Sequence, residues 1–187
     1  MSSPAVKSLL FSPLKIRGVT LKNRIVVSPM CQYSCEDGMV NDWHLVNYGS
    51  FATGGAGVVI VEATAVEARG RITQGCAGIW NDQQIEPMRR ITKFLKSQGS
   101  VPAIQIAHAG RKASALPPWM GRNSVPDEKG GWPTIGPSPL AFGDTITKVP
   151  KEATIEDIQQ IKESFVSAAK RAVSAGFEVW IEVLIKD

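Results

Sequence analysis

The chain has little of what builds a cross-linked or metal-held scaffold. Its 187 residues include three cysteines, two histidines and two tyrosines. The cysteines, Cys31, Cys35 and Cys76, are odd in number and lack framework spacing, which argues against a secreted disulfide scaffold. There is no CxxC pair, so zinc binding by these thiols with His44 is not favoured and no metal ligand is assigned. No run approaches the ~18 apolar residues of a membrane span, and Met1–Lys7 lacks the apolar centre of a signal peptide. A cytoplasmic protein with no membrane partner is the expectation. The 21 Lys and Arg stand against 17 Asp and Glu, a net charge of +4, with no long basic block. Nucleic-acid binding is therefore not indicated, while the small surplus suits an anionic small ligand.

What is present is a packed, alternating chain. It is 43% hydrophobic and 20% charged, and its length suits about one domain. Leu14–Lys22 alternates around Gly18 and reads as a β-hairpin. Arg24–Val27 enters a buried strand that Pro29 ends. Asn41 or Asp42 caps a helix over Trp43–Ala52, stopped at Gly54 and Gly55. Gly57–Ala63 is a second strand, and a helix runs from about Asp82 to Gln98 with Ile85, Met88, Ile91 and Leu95 at helical spacing. Val101–Ala107 is a third strand. Residues 110–150 are irregular and rich in Pro and Gly, far longer than an ordinary connection, and so either functional or mobile. Thr154 caps a further helix with Asp157 three residues on and an inner stripe of Ile158, Ile161, Phe165, Ala168 and Ala172. A last strand runs from Glu178 to about Ile185. Strands alternating with helices imply βαβ units and a parallel sheet.

Ser28-Pro29-Met30-Cys31-Gln32-Tyr33 follows the first strand, where parallel α/β folds bind ligands. A thiol, a thioether and a phenol gathered there fit a redox pocket, or simply a packed loop. The stretch resembles the first-strand motif of the old yellow enzymes, the FMN-dependent ene reductases, in their cysteine-containing bacterial-type branch. Val61-Glu62-Ala63-Thr64-Ala65-Val66, Gly70-Arg71-Ile72-Thr73, Gly78-Ile79-Trp80 and Gln105-Ile106-Ala107-His108-Ala109-Gly110-Arg111-Lys112 resemble further family segments, in the same order. The resemblance runs from about Leu10 to about Glu178. It implies an α/β chain forming about the first four units of a TIM (β/α)8 barrel, with the hairpin closing its bottom, and residues 1–187 as the N-terminal half of an FMN-binding oxidoreductase domain.

The resemblance also implies roles. Ser28, Pro29, Met30, Cys31, Ala63 and Gln105 would hold FMN, with Cys31 near its reactive edge. Tyr33 would overlie the ring and bind the substrate carbonyl, so Cys31 and Tyr33 are the catalytic candidates. NADPH or NADH would supply hydride, and the substrate would be an activated alkene, the C=C bond of an α,β-unsaturated carbonyl compound. Read locally, each residue has a plainer alternative. Cys31 can be an inert packed thiol, Ala63 a small packing residue, Gln105 a buried structural amide and Tyr33 a rim aromatic. His108 and Arg111 are as well explained by structural contacts at a strand end, His44 reads as structural, and Trp119 and Trp132 could cap a ligand or a subunit. The family's histidine motif at the fourth strand and the proton-donating tyrosine beyond it have no counterpart here. No histidine follows His108 and no tyrosine follows Tyr48. The expectation is a truncated form, inactive on its own. Its alternatives are a non-catalytic half-barrel associating with another chain, itself a possible homo-oligomer, or an unrelated phosphate-binding barrel such as an aldolase.

Overall fold

A computed structural model describes residues 8–183. The segment Met1–Lys7 and the expected continuation of the last strand to Ile185 lie outside the described residues. Leu14–Ile16 (β1) and Val19–Leu21 (β2) form the expected hairpin, pairing Leu14 with Leu21 and Ile16 with Val19. Val26–Val27 (β3), Val58–Ala65 (β4), Val101–Ala107 (β5) and Val179–Val183 (β8) make one parallel sheet in the order β3-β4-β5-β8. Between them run the helices Asp42–Thr53 (α1), Ile85–Ser97 (α2) and Ile155–Ser174 (α3). Ile135–Gly136 (β6) pairs with Lys151–Glu152 (β7) at the two ends of the long irregular segment.

Strand order that follows chain order means that successive crossovers run in one direction. All three helices accordingly pack on one face of the sheet. Tyr48 and Ala52 of α1, Met88, Ile91 and Leu95 of α2, and Phe165, Ala168 and Ala172 of α3 share a cluster with Val59, Val61, Ile104 and Ile106. A doubly wound sheet would carry helices on both faces. The opposite face is closed at its N-terminal end by the hairpin, where Leu21, Leu14 and Val19 pack against Val58, Ile60, Val101 and Ala103. A singly wound parallel sheet with a bottom plug is a partial (β/α)8 barrel.

Local chemistry fixes the helix starts. Asn41 Oδ1 accepts from Trp43 N at 3.0 Å, and His44 Nδ1 accepts from Asn41 N at 3.1 Å, a capping box with histidine in the usual glutamate place. Thr154 Oγ1 accepts from Asp157 N at 3.2 Å and Asp157 Oδ2 accepts from Thr154 N at 3.0 Å. Hydrogen bonds tie the helix layer together. Thr92 Oγ1 donates to Ala175 O at 2.5 Å, and Arg171 reaches Asp82 at 2.7 Å.

Three expectations change. The first barrel strand is two residues long rather than a fully buried run, and Val26 is 50% exposed, because β3 is an edge that pairs with β4 alone and Pro29 stops it. Ile158 belongs to the stripe in sequence but is 53% exposed, lying in an apolar groove beside Phe165 and Trp180 that no described element covers. Val27, Ile60 and Ile106 all read as inward-facing. Ile60 does face the hairpin side, but Ile106 and Val27 pack on the helix side. Strand alternation requires this of Ile106 once Gln105 takes the opposite face.

Candidate active site

The site is built from the C-terminal ends of β4 and β5, and a bulge sets its face. Val61 pairs with Ile104, and the next pair is Ala63 with Gln105, so Glu62 is an extra residue in β4. Before the bulge, Val58 and Ile60 face the hairpin side. An extra residue reverses the alternation. After it, Ala63 and Ala65 share the open face with Gln105 and Ala107, while Glu62 is turned toward the helices. A regular strand would have aimed Glu62 and Thr64 into the site instead.

Ala63, Ala65, Gln105 and Ala107 line a cavity of about 440 Å³, together with Tyr33, Gly70–Thr73, His108, Lys112, Arg122, Phe142 and Val183. Its size lies in the ~300–1,000 Å³ range of ligand sites. Among the described residues, the Gln105 side-chain amide makes no hydrogen bond within the protein, so both its donor and acceptor sides are free for a ligand in the cavity. Small alanines beside it leave a flat floor.

Tyr33 lines the same cavity from a strained backbone. Its φ is +55°, a region that costs most side-chain-bearing residues energy and is found at functional sites. The turn at residues 73–76 holds it there. Cys35 N donates to Gly75 O at 3.0 Å, and a Cβ on Gly75 would lie 2.4 Å from Tyr33 O. The Tyr33 ring meets Trp119 edge-to-face at 5.4 Å between centroids. Burial raises the Tyr33 hydroxyl above its ordinary value, so it stays protonated and able to donate.

The expected flavin-edge run is less gathered. Ser28, Pro29 and Met30 sit along the β3 edge, exposed or half-buried, and none of Ser28–Cys31 lines the cavity itself. Cys31 is half-buried behind the rim. Its contact with the Cys76 thiol, then burial, push the Cys31 thiol up, while the same contact pulls Cys76 down. Thr73 supports Cys76 through its N–H and its hydroxyl, each 3.4 Å from the sulfur.

His108 has a definite structural bond. Gly110 N donates to Nδ1 at 3.0 Å, so Nε2 carries the proton and donates to Glu67 Oε1 at 2.8 Å. Burial drives the Glu67 carboxyl up, but the bonds from His108 and Arg69 outweigh it and the net direction is down. Arg111 stacks over Phe142 at 5.8 Å. Trp132 donates to Arg69 O at 2.9 Å and takes Arg71 over its ring at 5.3 Å, a structural wedge rather than a cap. The long segment is thus ordered and positioned over the site. Ala115 N bonds Ile72 O at 2.9 Å, and Lys148 Nζ bonds Asp127 at 2.6 Å and Trp132 O at 3.2 Å.

Sequence reading missed Lys112 and Arg122 at the cavity wall, and it missed Glu62. Nothing local marks Arg122. An acid inside an otherwise apolar strand was a visible signal for Glu62.

The sequence pattern of the "NADH:flavin oxidoreductase / NADH oxidase family" matches residues 9–184. The chain is 49% identical over 173 residues to an NADH:flavin oxidoreductase of Gibberella zeae, covering 91% of this chain and 42% of that protein. It is 44% identical over 176 residues to an NADPH dehydrogenase of a Geobacillus species, covering 93% and 47%. The solved Old Yellow Enzyme from a Pichia species superposes with a TM-score of 0.79 at 27% identity, over 96% of this chain and 46% of that one. The chain spans about half the length of the curated relatives it matches. With a sequence match over nearly its whole length and a singly wound sheet carrying an open site at its strand ends, the chain belongs to the NADH:flavin oxidoreductase family, the old yellow enzymes.

Proposed function

We propose that these residues form the flavin-ring half of the active site of an FMN-dependent NAD(P)H oxidoreductase, an ene reductase acting on α,β-unsaturated carbonyl compounds. The observation that carries this reading is the pairing of Ala63 with Gln105 on the open face, in one cavity with Tyr33. An unpartnered amide on a flat floor of alanines suits the polar edge and apolar plane of an isoalloxazine. FMN, when bound, accepts hydride from the nicotinamide and delivers it to the substrate.

The protein's own residues have three tasks in this reading. Gln105 fixes the ring's pyrimidine edge through both sides of its amide. Tyr33, kept protonated by burial, donates to the substrate carbonyl from above and orients the alkene. The Ala63 backbone, with Cys31 behind it, would hold the ring's reactive edge, and a polarisable sulfur near it would tune how readily the ring takes electrons. Lys112 and Arg122 give the mouth a positive rim that favours anionic nicotinamide phosphates. Residues 1–187 act as the N-terminal half of the oxidoreductase domain, consistent with coverage of about half of each relative.

The test uses lumiflavin, the ring without its ribityl phosphate, titrated into the chain and followed by flavin fluorescence. Saturable quenching is expected, weakened at least tenfold by Gln105→Leu, or about 1.4 kcal/mol. Absence of saturable binding, or equal binding by the variant, would overturn the assignment.

A further inference from the structure

The bulge that clears the site floor has a second product. It places the Glu62 carboxyl, wholly buried, on the far side of β4 from the cavity that Ala63 lines, close to Cys31. Two donors bond it and a histidine stands beside it. The Tyr48 hydroxyl donates to Oε1 at 2.9 Å and Gln32 N donates to Oε2 at 3.1 Å. His44 Nε2 stands 3.5 Å from Oε1. None of these is a cation. Asn41 N donates to His44 Nδ1 at 3.1 Å, Asn41 Oδ1 lies 3.0 Å from the same nitrogen, and Nε2 lies 3.3 Å from Cys35 Sγ. Burial pushes His44 down to about 4, and so it is neutral near pH 7.

An ionised carboxyl with neutral donors alone is costly in a dry interior. A protonated one must turn one of its oxygens into a donor, yet here both oxygens face donors. Burial thus opposes the charge that the donors favour, and a change nearby shifts the balance between them.

We propose that Glu62 is a positioning residue for this site, a buried acid that anchors the Cys31–Tyr33 segment through Gln32 and, when ionised, opposes negative charge arriving at the site. The proposal rests on the reading of Cys31 and Ala63 as the flavin edge, because that is where negative charge arrives on reduction. The proton comes from solvent and goes to a carboxylate oxygen, and no electrons move.

The groups facing Glu62 are His44 and Tyr48 from α1, Cys31, Tyr33 and Cys35 from the loop after β3, and Cys76 from the turn before α2, with Arg71 beyond Cys35. Burial holds the carboxyl up at about 7, while the Tyr48 and Gln32 hydrogen bonds pull it down. Burial chiefly raises Cys35, Tyr33 and Tyr48, and the Cys76 contact chiefly raises Cys31; the charge of Glu62 adds to each in the same direction.

Two readouts on the chain need no flavin. The first is the infrared carbonyl band of a protonated carboxylic acid, absent in Glu62→Gln. It should vanish in the wild-type chain with a midpoint near pH 7, and Tyr48→Phe should move that midpoint upward. The second is alkylation of Cys31 by iodoacetamide, resolved from the buried Cys35 and Cys76 by peptide mass analysis. Glu62→Gln should speed it at least fivefold at pH 8 and leave it unchanged at pH 5.5. A carbonyl band with no midpoint between pH 5 and 9 would overturn the proposal, as would an alkylation ratio independent of pH. The infrared arm stands on the wild type and Tyr48→Phe even where Glu62→Gln fails to fold. Lumiflavin binding without the titration would leave the functional reading in place and remove this inference; the titration without binding would do the reverse.

Discussion

Single residues decide this site through parity and strain. One extra residue in β4 turns Ala63 toward the cavity and Glu62 away from it. One glycine, Gly75, lets a turn approach Tyr33 closely enough to hold its left-handed backbone. The acid turned inward has a consequence for stability. Its folded value of about 7 lies above the ordinary carboxyl value of 4.5. Folding therefore binds a proton between those values. The stability is full below the lower value and falls as pH rises through about 7, by about 3 kcal/mol. Denaturant melts of the wild type and Glu62→Gln should show the variant gaining on the wild type between pH 5 and pH 8. A difference that stays constant with pH would contradict this.

Elements in this chain are set mostly by their ends. Thr154 and Asp157 cap each other across the first turn of α3, and Lys151 adds a 2.7 Å contact to the same carboxylate. Lys151 and the Thr154 bonds hold the Asp157 carboxyl down at about 2. The cap matters because it launches the helix whose Phe165, Ala168 and Ala172 cover the sheet. Thr154→Ala should cost about 1 kcal/mol in a thermal or denaturant melt, and Thr154→Ser should restore most of it. A cost within error of zero would mean that packing of the inner stripe alone fixes the start of α3.

At the scale of the whole molecule, the sheet has two edges, β3 and β8, and an apolar groove along α3. Trp180 on the helix side of β8 is 44% exposed, and Ile181 on the cavity side is 39% exposed. Each such residue forfeits a good part of the ~1.5–3 kcal/mol that full burial gives, against a total stability of ~5–15 kcal/mol. Open hydrophobic strand edges also recruit partners. The 187-residue chain on its own should self-associate, purify without bound flavin, and show negligible NADPH-driven reduction of cyclohexenone. The turnover expectation follows from a chain with no histidine after His108 and no tyrosine after Tyr48 to serve as carbonyl anchor and proton donor. A chain that purifies yellow and monomeric by light scattering, or that reduces cyclohexenone at a substantial rate, would contradict it.

The sequence alone determined the elements and their kind. Hairpin, helix starts at Asn41 and Thr154, and the strand Val101–Ala107 are all written in local chemistry: turn residues, caps and hydrophobic period. It also determined the family, because several short motifs keep their order and spacing. Which way side chains face was beyond it. The bulge at Glu62 is invisible in a run of apolar residues, since it depends on the register of β4 against β5, two strands far apart in the chain. The same holds for Ile106, whose face follows from that register, for Val27, whose face follows from its pairing with Val59, and for Trp132 and His108, whose partners Arg69 and Glu67 lie 63 and 41 residues away. Alternation can be read along a strand, but its phase is fixed only when a neighbouring strand pairs with it. That pairing, made in tertiary structure, decided which residues became the floor of the site and which one became the buried acid behind it.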